Sequence, residues 1–187
     1  MHPPLAFRPA RVDDVPTVVA LINSAYRGDA SRAGWTTEAD LIDGPRTDDA
    51  EIRGLVGAAE SLLLLAVRGD EIVGSVLLQR QPDAGYLGMF VVRPSLQGGG
   101  TGKQLMHAAE TLVREQWGLA KMTMTVITLR PELLAFYERR GYRRTGEVRP
   151  FPTEHADKVK VAGVEMAVLE KSLGAQAADT APRIVGA

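Results

Sequence analysis

The sequence predicts a mixed α/β fold, with one domain over residues 1–173 followed by an unstructured tail over 174–187. Three observations predict it. Apolar residues recur at helical spacing in some segments and fill short, β-branched runs in others. These segments follow one another as strand, two helices, three strands, helix, strand, helix and two strands. That is the order of an antiparallel meander passing into strand–helix–strand crossovers. The 187 residues, 45% apolar and 24% charged, are the length and balance of one ordinary globular domain.

Each element has its own signal. Leu5 to Ala10 reads as a short strand. Asp13 and Asp14 then offer an N-cap, Pro16 fits a first helical turn, and Val15, Val18, Val19, Ile22 and Tyr26 share one helical face. Gly28 to Gly44 is polar and glycine-punctuated, a loop with a short helix expected near Thr37 to Ile42. A second helix is expected over Asp48 to Glu60, weakened by Gly54 and Gly57. Ser61 to Arg68 and Glu71 to Arg80 are apolar runs joined by Gly69-Asp70, a hairpin signal. Tyr86 to Val92 is a third strand, stopped by Pro94. Thr101 to Gln116 is the clearest helix, with Leu105, Ala108, Ala109, Leu112 and Val113 on one face. Lys121 to Thr128 is a strand, and Pro131 to Arg140 a helix opened by Pro131 and closed by Gly141. Strands at about Tyr142 to Glu147 and Val164 to Lys171 flank a polar loop, Pro150 to Lys160.

Composition excludes several function classes. Net charge is −1 and basic residues cluster only in pairs such as Arg139-Arg140 and Arg143-Arg144, which gives no footprint for nucleic acid. Cysteine is absent, which removes disulfides, thiolate metal sites and a cysteine nucleophile together. His2, His107 and His155 are scattered, so no metal is expected. The longest apolar run, Leu62 to Val67, is far short of the roughly 20 residues that cross a bilayer. With no apolar leader at the N-terminus, the expected location is cytoplasmic, away from membranes.

The most informative stretch is Val91 to Lys103, which holds four glycines in the five positions Gly98 to Gly102 between a strand and the clearest helix. Glycines let backbone approach a ligand closely. The helix that follows offers unpaired N–H groups and the positive end of its dipole, a ready site for a pyrophosphate. Two familiar phosphate motifs fail. A Walker A loop would need glycine at Gln97 and a hydroxyl residue at Gln104, and the dinucleotide fingerprint begun at Gly98 ends on Lys103. A purely structural glycine turn is the plain alternative.

Gln97-Gly98-Gly99-Gly100-Thr101-Gly102 resembles the Q/R-x-x-G-x-G/A signature of the GNAT superfamily, and Phe90-Val91-Val92-Arg93-Pro94 resembles that family's preceding strand end. Leu133 to Tyr142, with Phe136-Tyr137 and Gly141, is similar to its second recurring segment. The resemblance implies a mixed, mostly antiparallel sheet of about six to seven strands with helices on both faces. It implies acetyl-CoA as co-substrate, its pyrophosphate on backbone amides from Gly98 through Gly99, Gly100, Thr101 and Gly102 to Lys103, with Gln97 opening the turn. The pantetheine would run along Phe90, Val91 and Val92, and Tyr137 would lie near the sulfur, able to protonate the departing thiolate. Arg130 stands where the family commonly has an asparagine, and its guanidinium suits a phosphate or a substrate acid as readily as solvent. A monomer or a homodimer is expected.

Acyl transfer to an amine needs a neutral amine, donors for an oxyanion and a proton for the thiolate. The family's oxyanion donor is a backbone N–H at a strand bulge, here expected near Val91 or Val92. The strand over Tyr86 to Met89 carries no carboxylate, so the base falls to Glu38, to Asp40 or to a water chain ending on Tyr86. The acceptor side is expected in the loop from Tyr26 to Glu38 with Asp43 to Arg46. There Arg32, Trp35 and Arg46 suit a small ligand bearing a carboxylate. The expected function is N-acetylation of a small, amino-acid-like amine. A protein amine as acceptor, or a non-catalytic acyl-CoA-binding module, stay open as alternatives.

Overall fold

Strands β2 (Ser61–Arg68) and β3 (Glu71–Arg80) form the hairpin around which the sheet is built. Both are buried on both faces, which is why they read as continuous apolar runs rather than alternating ones. Leu63, Leu65 and Val67 face one core, and Leu64 and Ala66 face the other. In this computed structural model residues 3–27, 31, 32, 34, 37–152 and 157–174 are described. Trp35 and residues 175–187 of the expected tail lie outside them.

Strand β1 (Leu5–Pro9) pairs with β2, and β4 (Gly85–Val92) with β3, both antiparallel. The sheet continues through β5 (Lys121–Ile127) to β7 (Glu165–Ser172), with β6 (Arg143–Pro150) on the edge, in the order β1-β2-β3-β4-β5-β7-β6. Every pairing is antiparallel except β4 with β5. One face carries helices α1 (Val15–Tyr26) and α2 (Asp49–Gly57), packed through Val18, Ile22 and Ile52. Asp48 caps α2, its Oδ1 accepting from the Glu51 N–H at 2.9 Å. The other face carries α3 (Thr101–Glu115) and α4 (Pro131–Glu138), packed through Leu105, Leu112 and Leu134.

Two expectations change. Thr37 to Ile42 forms a single turn, the Leu41 and Ile42 N–H groups both donating to the Glu38 carbonyl. Ile42 then makes a bridge with Val159, which holds the segment extended. The strand expected over Tyr142 to Glu147 runs three residues further, because Val148, Arg149 and Pro150 find partners in β7 that local pattern does not reveal.

Strands β4 and β5 are joined only at Gly85–Met122 and Tyr86–Thr123, and beyond those pairs they part. The joined end is closed by packing. A Cβ at Gly85 would lie 2.6 Å from Val113 Cγ1 and 3.0 Å from Met122 Sδ. Val113 is stiff at χ1 and fully buried, so it cannot yield cheaply. Gly85→Ala should destabilise the protein by about 1–3 kcal/mol in chemical unfolding, as an overpacked core does; an unchanged midpoint would mean that α3 sits further from the sheet than described.

Candidate functional site

The glycine loop begins where β4 ends. Pro94–Leu96 makes one 3₁₀ turn, and Gly98 and Gly100 follow at φ +85° and +83°, a region that glycine alone enters freely. Gly100 is the residue that caps α3. No atom lies within 4 Å of where a Cβ at Gly98 or Gly100 would stand, so both face open space beside the helix N-terminus. The Gln97 amide braces the loop, its Nε2 donating to the Val92 carbonyl at 3.0 Å.

From this loop a groove of about 590 Å³ runs past Phe90 and Val92 to α4. It collects Gln97, Gly98, Gly100, Gly102, Lys103 and Tyr137 of the expected residues, together with Phe136, Arg139 and Arg140. The residues Val91, Gly99 and Thr101 do not line it. Val91 and Thr101 are buried at 1% and 2% exposure, because strand alternation and the first helical turn direct them inward. Arg130 does not line the groove either: it is 5% exposed and its Nε donates to Glu132 Oε1 at 2.6 Å, Glu132 being part of the groove wall.

A second cavity of about 340 Å³ opens where β4 and β5 part. Met89, Met124 and Val126 give it an apolar floor, and Tyr86 and Thr125 link their hydroxyls across it at 2.9 Å. Its rim is charged. Arg27 and Glu38, 10% and 11% exposed, pair at 3.3 Å. Burial pulls the Arg27 guanidinium below its usual range, while Glu38 pushes back. Glu51 accepts from the Thr47 hydroxyl at 2.6 Å. The Arg46 guanidinium lies over the Tyr26 ring, 5.8 Å from its centre, and Lys158 completes the wall. Arg32 and Asp40 are not part of it; they pair with each other at 2.7 Å on the surface. Glu51 and Lys158 lie outside the segments expected to build this side, and Tyr26 and Arg27, which open the expected loop, are not singled out there by residue type. Tyr26 reads in the sequence as the last member of an apolar helical stripe. Only its place at the helix end, before a glycine-rich loop, hints otherwise.

Groove and cavity share Tyr26, Phe90, Leu133 and Tyr137. At this junction β4 is irregular: Leu77 faces Gly88 and Ser75 faces Val91, so two β4 residues stand opposite one of β3. The bulge falls at Met89 and Phe90, just before the expected Val91 or Val92. Met89, at φ +43°, is the sole non-glycine residue with positive φ among the described residues, a conformation costing about 1–3 kcal/mol. The Tyr26 hydroxyl donates to the Phe90 carbonyl at 3.2 Å. Tyr137 is 6% exposed and meets Phe90, Phe136 and Tyr142 edge-on at 6.4, 5.2 and 5.9 Å. Behind it the Tyr142 hydroxyl donates to Glu110, which also pairs with Lys171 at 2.7 Å. Burial pushes the Tyr137 phenol far above its usual range, with Tyr26 adding to the effect, so it is held as a neutral donor.

A sequence model of the acetyltransferase (GNAT) domain matches residues 45–152. No curated protein matches the chain in sequence. Several solved structures share its fold. The ribosomal-protein-S18-alanine N-acetyltransferase of Escherichia coli is 14% identical at a TM-score of 0.67, over 95% of this chain and 98% of that one. A spermidine N-acetyltransferase variant from Vibrio cholerae is 13% identical at 0.66, over 90% and 94%. An IAA acetyltransferase from Bacillus cereus is 19% identical at 0.62, over 90% and 99%. Among the described residues no helix is long and apolar enough to cross a membrane, and no cluster of metal-ligating side chains forms.

Because burial raises the folded Tyr137 above its free value near 10, the stability contributed by its neutral form is complete below about pH 10 and is lost as pH rises further. Difference spectra of wild type against Tyr137→Phe should show no tyrosinate absorbance before alkaline unfolding begins. Ionisation within the folded baseline would mean that water reaches the ring.

Proposed function

The chain belongs to the GNAT acetyltransferase family, and from that premise we propose that it transfers acetyl from acetyl-CoA to the primary amine of a small, amino-acid-like metabolite, with Tyr137 as general acid. The observation that carries this reading is the meeting of two cavities of different character at a buried, neutral tyrosine. One cavity offers open backbone at Gly98 and Gly100, a helix N-terminus and the cations Lys103, Arg139 and Arg140, all suited to phosphates. The other has the charged rim and apolar floor of an acceptor site.

Acetyl-CoA supplies an activated thioester. The amine nitrogen attacks its carbonyl carbon, the C–N bond forms, and the C–S bond breaks. Tyr137 gives its proton to the leaving thiolate, and the amine's surplus proton, passed through water in the acceptor cavity, restores the Tyr137 hydroxyl. Of the two loop carboxylates expected as bases, Glu38 is on that cavity wall and Asp40 is not. Backbone N–H groups of β4 at the bulge would meet the developing oxyanion, where fixed dipoles act strongly in a site shielded from water.

Charge bookkeeping on the rim supports an acceptor with a carboxylate. Three cations, Arg27, Arg46 and Lys158, stand against two carboxylates, Glu38 and Glu51. Glu38 pairs with Arg27, Glu51 accepts from the neutral Thr47 hydroxyl, and among the described residues Arg46 and Lys158 have no carboxylate within 4.0 Å. A polyamine would add positive charge to a rim that already has a surplus of it. The volume of about 340 Å³ is at the lower end for small-molecule sites and favours a metabolite over a protein amine. An amine panel with acetyl-CoA, read as thiol release, tests the assignment. Release above the amine-free rate with amino-acid-like acceptors is the expected result. Release that never exceeds that rate would favour a non-catalytic acyl-CoA-binding module.

Two variants test the assigned roles. Tyr137→Phe keeps the ring, so acetyl-CoA affinity should hold while kcat falls by roughly 10²–10⁴, the worth of general-acid assistance. The loss should shrink with a donor whose thiol is more acidic, and full turnover in the variant would remove Tyr137 from the chemistry. Arg46→Ala should raise the acceptor KM about tenfold to a hundredfold, the loss of one charge-assisted bond, and leave the acetyl-CoA KM unchanged. Equal changes in both constants would show that Arg46 supports the fold instead.

A further inference from the structure

Two phenols face the junction of groove and cavity, and they differ in their bonding. Tyr26 donates to the Phe90 carbonyl at 3.2 Å; the Tyr137 hydroxyl has no hydrogen-bond partner among the described residues. A phenol has one proton to donate. The one held by Tyr26 is already engaged, which leaves Tyr137 free to give its own to another group.

The bond from Tyr26 falls on a particular peptide. Val91 stands opposite Ser75, and the Arg93 N–H donates to the Val73 carbonyl at 2.9 Å. The backbone polar groups of residues 91 and 93 therefore face β3. Alternation turns those of 90 and 92 the other way, into the gap that β5 has left. Side chains take both carbonyls on that edge: Tyr26 takes that of Phe90, and Gln97 Nε2 takes that of Val92 at 3.0 Å. The gap is thus lined by a strand edge whose carbonyls are satisfied from outside the sheet. That edge begins at Met89, in the left-handed region, where strain persists only if the surroundings enforce it. Tyr26 is well placed to enforce it. It ends α1, whose Val18, Leu21, Ile22 and Ala25 are fixed in the core beneath the sheet.

Resting on the acetyl-transfer reading above, we propose that Tyr26 is a positioning residue: its hydroxyl pins the Phe90 peptide at the bulge, so that the strand edge facing the thioester carbonyl has a single orientation. It gives up no proton in the reaction. Its effect reaches the reacting atoms through the backbone, where a displacement of about 1 Å lowers rates by roughly 10².

Tyr26→Phe keeps the ring beneath Arg46 and removes only the tie. It should lower kcat about tenfold to a hundredfold and leave both KM values within about twofold of wild type. In the free protein, the Val91 amide ¹⁵N resonance, which belongs to the same peptide as the Phe90 carbonyl, should shift. Installing 3-fluorotyrosine at position 26 retains a donor and should restore both kcat and the resonance, with the pH–rate profile of wild type. An unchanged kcat or an unmoved Val91 resonance in Tyr26→Phe overturns the proposal. So does a kcat that fluorotyrosine fails to restore, or an alkaline limb that follows the fluorophenol, which would make Tyr26 itself the acid. Failure of the wild type to transfer acetyl would instead sink the functional reading, and the Val91 resonance would still report on the tie.

Discussion

The site depends on one departure from regular pairing. Two parallel strands that begin side by side at Gly85 and Tyr86 cease to hydrogen-bond after two residue pairs. Had β4 and β5 paired to their ends, the backbone of Phe90 and Val92 would be spent on the sheet and no cavity would exist between the strands. The bulge at Met89 turns β4 away on one side, and the antiparallel pairing of β5 with β7 along its whole length holds β5 on the other. The gap is therefore braced from both flanks, and its free backbone edge belongs to an otherwise rigid sheet.

The charged rim follows a different logic from the backbone edge. Its side chains come from four separate places: the end of α1, the segment before α2, α2 itself and the approach to β7. Their pairing decides the character of the cavity more than their number does. Arg27 and Glu38 neutralise each other where water is scarce, as a buried charge requires, and Arg46 spreads over an aromatic ring. What the cavity presents to a guest is then set by the cations left over and by the methionines beneath them.

Much of the fold and half of the site were legible in the sequence. The glycine loop was legible because glycine at positive φ and a helix start leave a local residue signature, as at Gly98, Gly100 and Thr101. Strands β2 and β3 could be bounded because burial on both faces makes an apolar run with sharp polar ends. The charged wall of the second cavity was not legible in the same way. Whether Arg32 or Arg46 reaches the cavity depends on the path of a loop, and Arg32 meets Asp40 eight residues on. Arg27, Glu51 and Lys158 are ordinary surface residue types until the tertiary fold gathers them. The edge strand β6 is held by a partner later in the chain, so its sequence pattern ends at about Glu147 and Pro150 reads as the start of a loop. The bulge was misplaced by a residue or two because register slips leave no composition signal.

Helix α3 is wedged onto the sheet at two glycines. A Cβ at Gly74 would come within 3.0 Å of the Val91 carbonyl and 3.3 Å of Leu105, and Gly85 admits Val113 as closely. The helix cannot slide along the strands, so the span from the amides at Gly100 to the fork at Phe90 is a fixed length. Such a scaffold works as a gauge. The distance it keeps, from the start of α3 to the gap beside β4, is set by the spacing of two small residues in the core.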